Sequence, residues 1–147
     1  MIVVDTNVLS EEMKSTPAAT VHAWFVRQNP RELFTTAICE AEILVGVALL
    51  PEGQRKRDLA SAAHQIFALF SGRILAFDSR AAPDYADIVA ARRVVGRPIS
   101  DFDAQIAAIT RERRFALATR NTLDFEGAGL VVIDPWLGRA IAYDRAI

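Results

Sequence analysis

The hydrophobic pattern opens with a short unbroken apolar run, Ile2-Val3-Val4, that stops at Asp5 and gives way to Thr6-Asn7. β-Branched residues without polar alternation predict a strand buried on both faces. The small polar residues behind it predict a turn that caps a helix over Asn7–Met13. Pro17 opens a second helix, Ala18–Asn29, with Val21, Trp24 and Phe25 as its apolar stripe, and Asn29-Pro30 ends it. Leu33–Thr36 reads as a strand, and Ala37–Leu50 as a strongly apolar helix stopped by Pro51. A helix from Glu52 to Phe70 closes at Ser71-Gly72, and Ile74–Phe77 is the next strand. Helices Ser79–Val95 and Ser100–Arg114 flank Gly96-Arg97-Pro98. Phe115–Ala118 and Leu130–Ile133 complete the strands. Residues 1–137 read as one domain and 138–147 as a tail without pattern.

Strands alternating with helices predict an α/β fold of three layers, with a central parallel sheet covered by helices on both faces. The consecutive helices between Ala37 and Phe70 predict a helical-hairpin arm. The first of them is apolar nearly all round, with Ile38, Ala41 and Val45 on one side and Ile43, Val47 and Leu50 on another. Such a helix needs cover on more than one side, which points to a second subunit. In open parallel sheets ligands sit beyond the carboxyl ends of the strands, so Asp5 stands where chemistry is usually done. Its alternative role is to cap the following helix.

Composition narrows the choice. A chain of 147 residues, 52% apolar, is one domain with a full core. Its longest apolar stretch, Ile43–Leu50, is far too short to span a bilayer, and no basic segment precedes a long apolar run, so the expected address is the cytoplasm and no membrane partner is implied. A net charge of −1 argues against a general polyanion binder, although only two of 17 basic residues are lysines and arginine suits phosphate. The single cysteine, Cys39, rules out an internal disulfide and a cysteine-based zinc site, and reads as a small core residue.

The acids carry the chemical signal. Glu40 and Glu42 are two apart and point about 200° from one another on a helix, so they cannot share a site. Glu42 follows Ile38 by four and precedes Val45 by three, which puts it within an inward stripe where a carboxylate needs a partner or a cation. Asp103 shares a stripe with Ile106, Ala107 and Thr110, whereas Asp101 lies with Gln105, Ala108 and Glu112 on a face read as solvent. Ser100-Asp101-Phe102-Asp103 is also a capping box, a role compatible with facing a metal through the other oxygen. Thr119-Arg120-Asn121 and Asp124 follow the strand Phe115–Ala118. His22 and His64 have no ligand spacing and read as structural or surface residues. Clustered carboxylates without a counter-charge raise each other's pKa. A hard divalent cation relieves that repulsion, and oxygen-only ligands select Mg²⁺ or Mn²⁺ over zinc. Such an ion suits phosphodiester hydrolysis by an activated water.

In order along the chain, Val4-Asp5-Thr6-Asn7-Val8 with Ser10-Glu11, Ala41-Glu42 with Gly46-Val47-Ala48-Leu49, Gly72-Arg73-Ile74-Leu75 with Phe77-Asp78, Asp103 with Ile106-Ala107-Ala108, Ala118-Thr119-Arg120-Asn121 with Asp124-Phe125, and Pro135-Trp136 form a set. That set resembles the PIN-domain ribonucleases, specifically the toxins of VapBC-type toxin–antitoxin pairs in their FitB-like branch. The resemblance implies a PIN-like fold, a homodimer, a pocket for Mg²⁺ or Mn²⁺, an RNA substrate, and a VapB-like antitoxin through which alone DNA would be met. It places Asp5, Glu42 and Asp103 as core acids, with Asp5 and Asp103 on the metal. Relatives carry the fourth acid at the position of Asn121 or three residues later, where this chain has Asp124. Glu42 and Asp124 are then expected to hold a second ion or the water, or to act as base. Thr6, Asn7, Thr119 and Asn121 are expected to support the acids or orient water, and Arg92, Arg93 and Arg97 to meet RNA. Two other readings stand beside this one. A phosphotransferase using Asp5 as nucleophile wants an acid at position 7 and a nearby lysine, and has Asn7 and only Lys14 and Lys56. A catalytically inactive RNA- or protein-binding module is kept open by Asn121.

Overall fold

The computed structural model describes residues 1–144. The chain runs β1 (Ile2–Val4), α1 (Thr6–Glu12), α2 (Ala19–Arg27), β2 (Leu33–Thr36), α3 (Ala37–Ala48), α4 (Gln54–Ala68), β3 (Ile74–Leu75), α5 (Ala82–Val94), α6 (Asp101–Glu112), β4 (Ala116–Ala118), β5 (Val131–Asp134) and β6 (Arg139–Ala142). The six strands form one sheet in the order β3-β2-β1-β4-β5-β6. The chain fills the sheet outward on one side of β1 through β2 and β3, then returns to the other side with β4. The boundary between β1 and β4 is therefore the topological switch point, where the following loops diverge and leave a crevice.

Register follows from burial. Val3 and Val4 are fully buried and pair on one side with β2 (Ile2 with Leu33, Val3 with Phe34) and on the other with β4 (Val4 with Ala118). The ladder continues past the strand, with the Asp5 amide donating to the Ala118 carbonyl at 3.0 Å. Phe70, Ile88, Ile106, Ile109, Leu117, Phe125 and Val132 fill the core.

Three details differ from the sequence reading. The first four strand pairings are parallel, but β6 runs antiparallel to β5, so the sheet is mixed. β6 lies in the segment 138–147 set apart as a tail, of which residues 145–147 lie outside the described residues. β3 is only Ile74–Leu75, because Thr35 and Thr36 alone offer it partners and Phe77 is exposed. On α3 the covered positions are Cys39 and Ile43, while Leu44, Val45 and Leu49 are exposed. The stripe through Glu42 and Val45 thus borders the core rather than entering it. Among the described residues, no helix is long and apolar enough to cross a membrane.

Candidate active site

Asp5 sits at the switch point, 4% exposed, in extended backbone that ends β1 and caps α1. Capping and site roles coincide in this one residue. Its Oδ1 accepts from the Thr6 amide at 2.7 Å; its Oδ2 accepts from Asn7 Nδ2 at 2.8 Å and from Thr119 Oγ1 at 2.7 Å. Thr119 lies just beyond β4 and is fully buried. Its hydroxyl also accepts from Asn7 Nδ2 at 2.9 Å and from the Asn121 amide at 3.1 Å. The loops after β1 and β4 are thereby stitched together around one carboxylate. Burial pushes the Asp5 carboxyl up to about 6, against the lowering effect of these hydrogen bonds, and Asp103 and Glu42 push it the same way.

Glu42, on α3, accepts from Thr6 Oγ1 at 2.6 Å, so one threonine serves Asp5 through its amide and Glu42 through its side chain. Asp103 lies in the first turn of α6, half-buried. Ser100 Oγ accepts from the Asp103 amide at 3.1 Å, the N-cap half of the expected capping box, and donates to Asp103 Oδ2 at 2.6 Å, so the carboxylate meets the Ser100 hydroxyl. Desolvation raises the Asp103 carboxyl above its ordinary value, and the nearby charge of Asp124 adds to this. Asp124 sits in a 3₁₀ turn, Thr122–Phe125, whose Phe125 is anchored in the core. The carboxylates form a run in which Glu42 and Asp103 bear on Asp5, and Asp124 bears on Asp103. Asn121 meets this network through its amide.

Among the described residues, none of these four acids forms an ion pair, although nine such pairs stand elsewhere. An array of oxygen donors that includes the raised carboxyls of Asp5 and Asp103, with no cation of its own among the described residues, fits a hard divalent metal.

Cys39 is the residue that sequence reasoning placed too simply. It is buried as expected, yet its Sγ lies 3.8 Å from Asp5 Oδ1, and one ligating atom from each of Asp5, Cys39 and Glu42 lies within 4.8 Å of the others. Burial and the adjacent Asp5 push the thiol up to about 11. The available signal was spacing: Cys39 precedes Glu42 by three and shares its helix face. The arginines expected to meet RNA fare differently. Arg92 is 6% exposed and donates to the Glu126 carbonyl at 2.6 Å, and Arg97 is paired with the Glu126 side chain. Arg92 is structural; Arg93 is exposed. Asp101 accepts from the Tyr85 hydroxyl at 3.2 Å, in the position outside the site that its helix face implied.

Residues 2–127 match the PIN domain. The chain belongs to the PIN-domain family. Its relatives include VapC ribonuclease Y4jK of Sinorhizobium fredii, 39% identical over 92% of this chain and 98% of the relative. Toxin FitB of Neisseria gonorrhoeae is 39% identical over 92% of this chain and 99% of its own length. The solved structure of FitAB bound to an IR36 DNA fragment superposes with a TM-score of 0.86 at 39% identity, covering 92% of this chain and 96% of that one. The PIN match ends at residue 127, so β5 and β6 stand beyond it.

Proposed function

We propose that this PIN-domain protein is a divalent-metal-dependent ribonuclease that acts as the toxin of a VapBC-type pair. The observation that carries the reading is a buried Asp5 with a carboxyl pushed up to about 6, flanked by Glu42 and Asp103, with no cationic side chain among the described residues paired with it. The relatives' names, VapC ribonuclease and toxin FitB, set the chemical class.

Asp5 and Asp103 would hold Mg²⁺ or Mn²⁺, Glu42 and Asp124 would hold a second ion or orient the attacking water, and Asn121 adds no charge. When bound, the ion supplies Lewis acidity toward the phosphate and a more acidic water. The chain's own residues do the positioning. Thr6 fixes Asp5 and Glu42 relative to one another, Asn7 and Thr119 lock the Asp5 plane, and Ser100 holds one oxygen of Asp103. Glu42 or Asp124 is the base that accepts the water proton.

The partners follow from the same features. An antitoxin would silence the site by placing a basic side chain among the acids, meeting the electrostatic demand that a metal meets. DNA is then reached only through the antitoxin. The exposed Leu44, Val45 and Leu49 on α3 support a homodimer. The test is cleavage of a mixed RNA pool with Mg²⁺, Mn²⁺ or chelator, beside Asp5→Asn. Metal-dependent cleavage that the variant loses supports the reading; equal cleavage by the variant overturns it. The absence of cleavage, with metal still raising the melting temperature, favours the binding-module reading.

A further inference from the structure

We propose that Arg120 and Trp136 form a stacking subsite for one base of single-stranded RNA beside the scissile phosphate. This rests on the ribonuclease reading and names where the nucleic acid lies.

β5 is parallel to β4, so its carboxyl end opens on the same sheet edge as Asp5 and Thr119, and the Thr119 amide donates to the Ile133 carbonyl at 2.9 Å. There Asp134, 5% exposed, accepts from the amides of Trp136 at 2.9 Å and Leu137 at 3.3 Å. That turn fixes the backbone carrying the indole. The Arg120 guanidinium carbon stands 5.3 Å from the centre of the Trp136 ring. The Arg120 amide donates to Asn7 Oδ1 at 3.0 Å, and Asn7 Nδ2 donates to Asp5 Oδ2 at 2.8 Å. One side chain thus separates the central carboxylate from the Arg120 backbone.

Beside the ring runs a groove of about 640 Å³ between α2 and the β5–β6 turn, lined by Trp24, Arg27, Gln28 and Trp136 among others. Its lining contains arginine and aromatic side chains and no carboxylate. That chemistry is the reverse of the crevice next to it. An acidic site on a chain of net charge −1 repels a polyanion, so affinity has to come from outside the acids. Aromatic faces with a stacked arginine bind single-stranded nucleic acid in a sequence-tolerant way, because every base has a π-face. RNA is favoured over a protein partner because a guanidinium, an indole and an open groove lie together beside the network that holds Asp5.

Two readouts test this on the intact protein. In steady-state cleavage of single-stranded RNA with Mn²⁺, Trp136→Ala raises KM about 10-fold with little change in kcat, as expected for loss of one stacked base, and Trp136→Phe recovers most of it. Arg120→Ala, which alters an exposed side chain and leaves folding intact, also raises KM. In a Trp24→Phe background Trp136 is the only indole, and an uncleavable 2′-O-methyl oligonucleotide quenches its fluorescence. Unchanged KM in Arg120→Ala and Trp136→Ala overturns the subsite, and so does RNA that is cleaved without quenching. Quenching by an antitoxin-tail peptide but not by RNA overturns it in favour of a protein surface. A wild-type protein that cleaves no RNA but shows the quenching refutes the ribonuclease reading and leaves the subsite supported.

Discussion

Replacing Asp5 by Asn should stabilise the metal-free protein at neutral pH while removing its activity. The Asp5 carboxyl is raised from 3.8 to about 6 by burial and by its acidic neighbours. Across that window the native state keeps a proton that the unfolded chain has lost, so stability falls as pH rises and the penalty is complete above the folded value. Two pKa units correspond to roughly 3 kcal/mol. Asn removes this penalty but turns one amide toward Asn7 Nδ2, which now donates to Asp5 Oδ2, and that donor–donor conflict costs about 1 kcal/mol. The net gain of roughly 2 kcal/mol raises the melting temperature by about 6 °C for a domain of this size. Thermal unfolding in chelator from pH 4 to 7.5 checks it. The variant should melt above wild type at pH 7 and level with or below it near pH 4. Mn²⁺ at a hundredfold excess over its dissociation constant should add about 2.7 kcal/mol to wild type and much less to Asp5→Asn. A variant that melts below wild type at pH 7 in chelator would refute the account of Asp5 as an uncompensated charge.

Four further outcomes are expected. Thr119→Val deletes the hydroxyl that donates to Asp5 Oδ2 at 2.7 Å, so kcat for RNA should fall at least about 10-fold and the acidic limb of the rate profile should move to higher pH, because the carboxylate loses a donor. Cys39, fully buried with its thiol pushed up to about 11, should resist an aromatic disulfide reagent at pH 8 until denaturant is added, measured as thiol release against time. Arg111→Ala should cost about 3–5 kcal/mol in urea unfolding, because Arg111 bonds Asp84 Oδ1 at 2.6 Å and the Ala128 carbonyl at 3.3 Å from a largely buried position. Leu44→Lys with Leu49→Glu should convert a dimer to a folded monomer in sedimentation, with the helical signal unchanged, since both side chains are exposed in the single chain.

Most of the fold could be read from punctuation. Pro17, Asn29-Pro30, Pro51, Gly72 and Gly96-Arg97-Pro98 bound the helices within a few residues, because proline and positive-φ glycine act locally. β6 was hidden because Arg139-Ala140-Ile141-Ala142 is short and holds one β-branched residue among weak strand formers; pairing with Val131–Asp134 makes it a strand. Pairing of that kind is tertiary and leaves no local signal. The same holds for α6, where Ala108, on the face read as solvent, is fully buried, since an alanine says little about which way it points. Arg92 shows the opposite failure: a charged residue predicts exposure, and here the guanidinium is buried against the Glu126 carbonyl. Asp5 and Asp103 were legible because each sits at an element boundary, where a polar side chain is conspicuous, and Glu42 because it interrupts an apolar helix stripe.

On the proposed reading, capping a helix and holding a metal are compatible roles for one acid, for a geometric reason. A carboxylate has about four acceptor positions; Asp5 accepts from Thr6, Asn7 and Thr119, with the Cys39 thiol at 3.8 Å as a fourth and weaker donor, while Asp103 gives one oxygen to Ser100. The bonds made at the helix starts also fix the planes of the carboxylates. Neutral donors steer these acids but do not cancel their charge, and Asp5 remains well above its ordinary pKa despite three of them. On the proposed reading a cation would complete the site. On that reading a divalent ion and a basic side chain from an antitoxin would answer one electrostatic demand, so activation and inhibition would compete for the same few oxygens. A surface block elsewhere on the molecule would not leave Asp5 dependent on the inhibitor for relief of its charge.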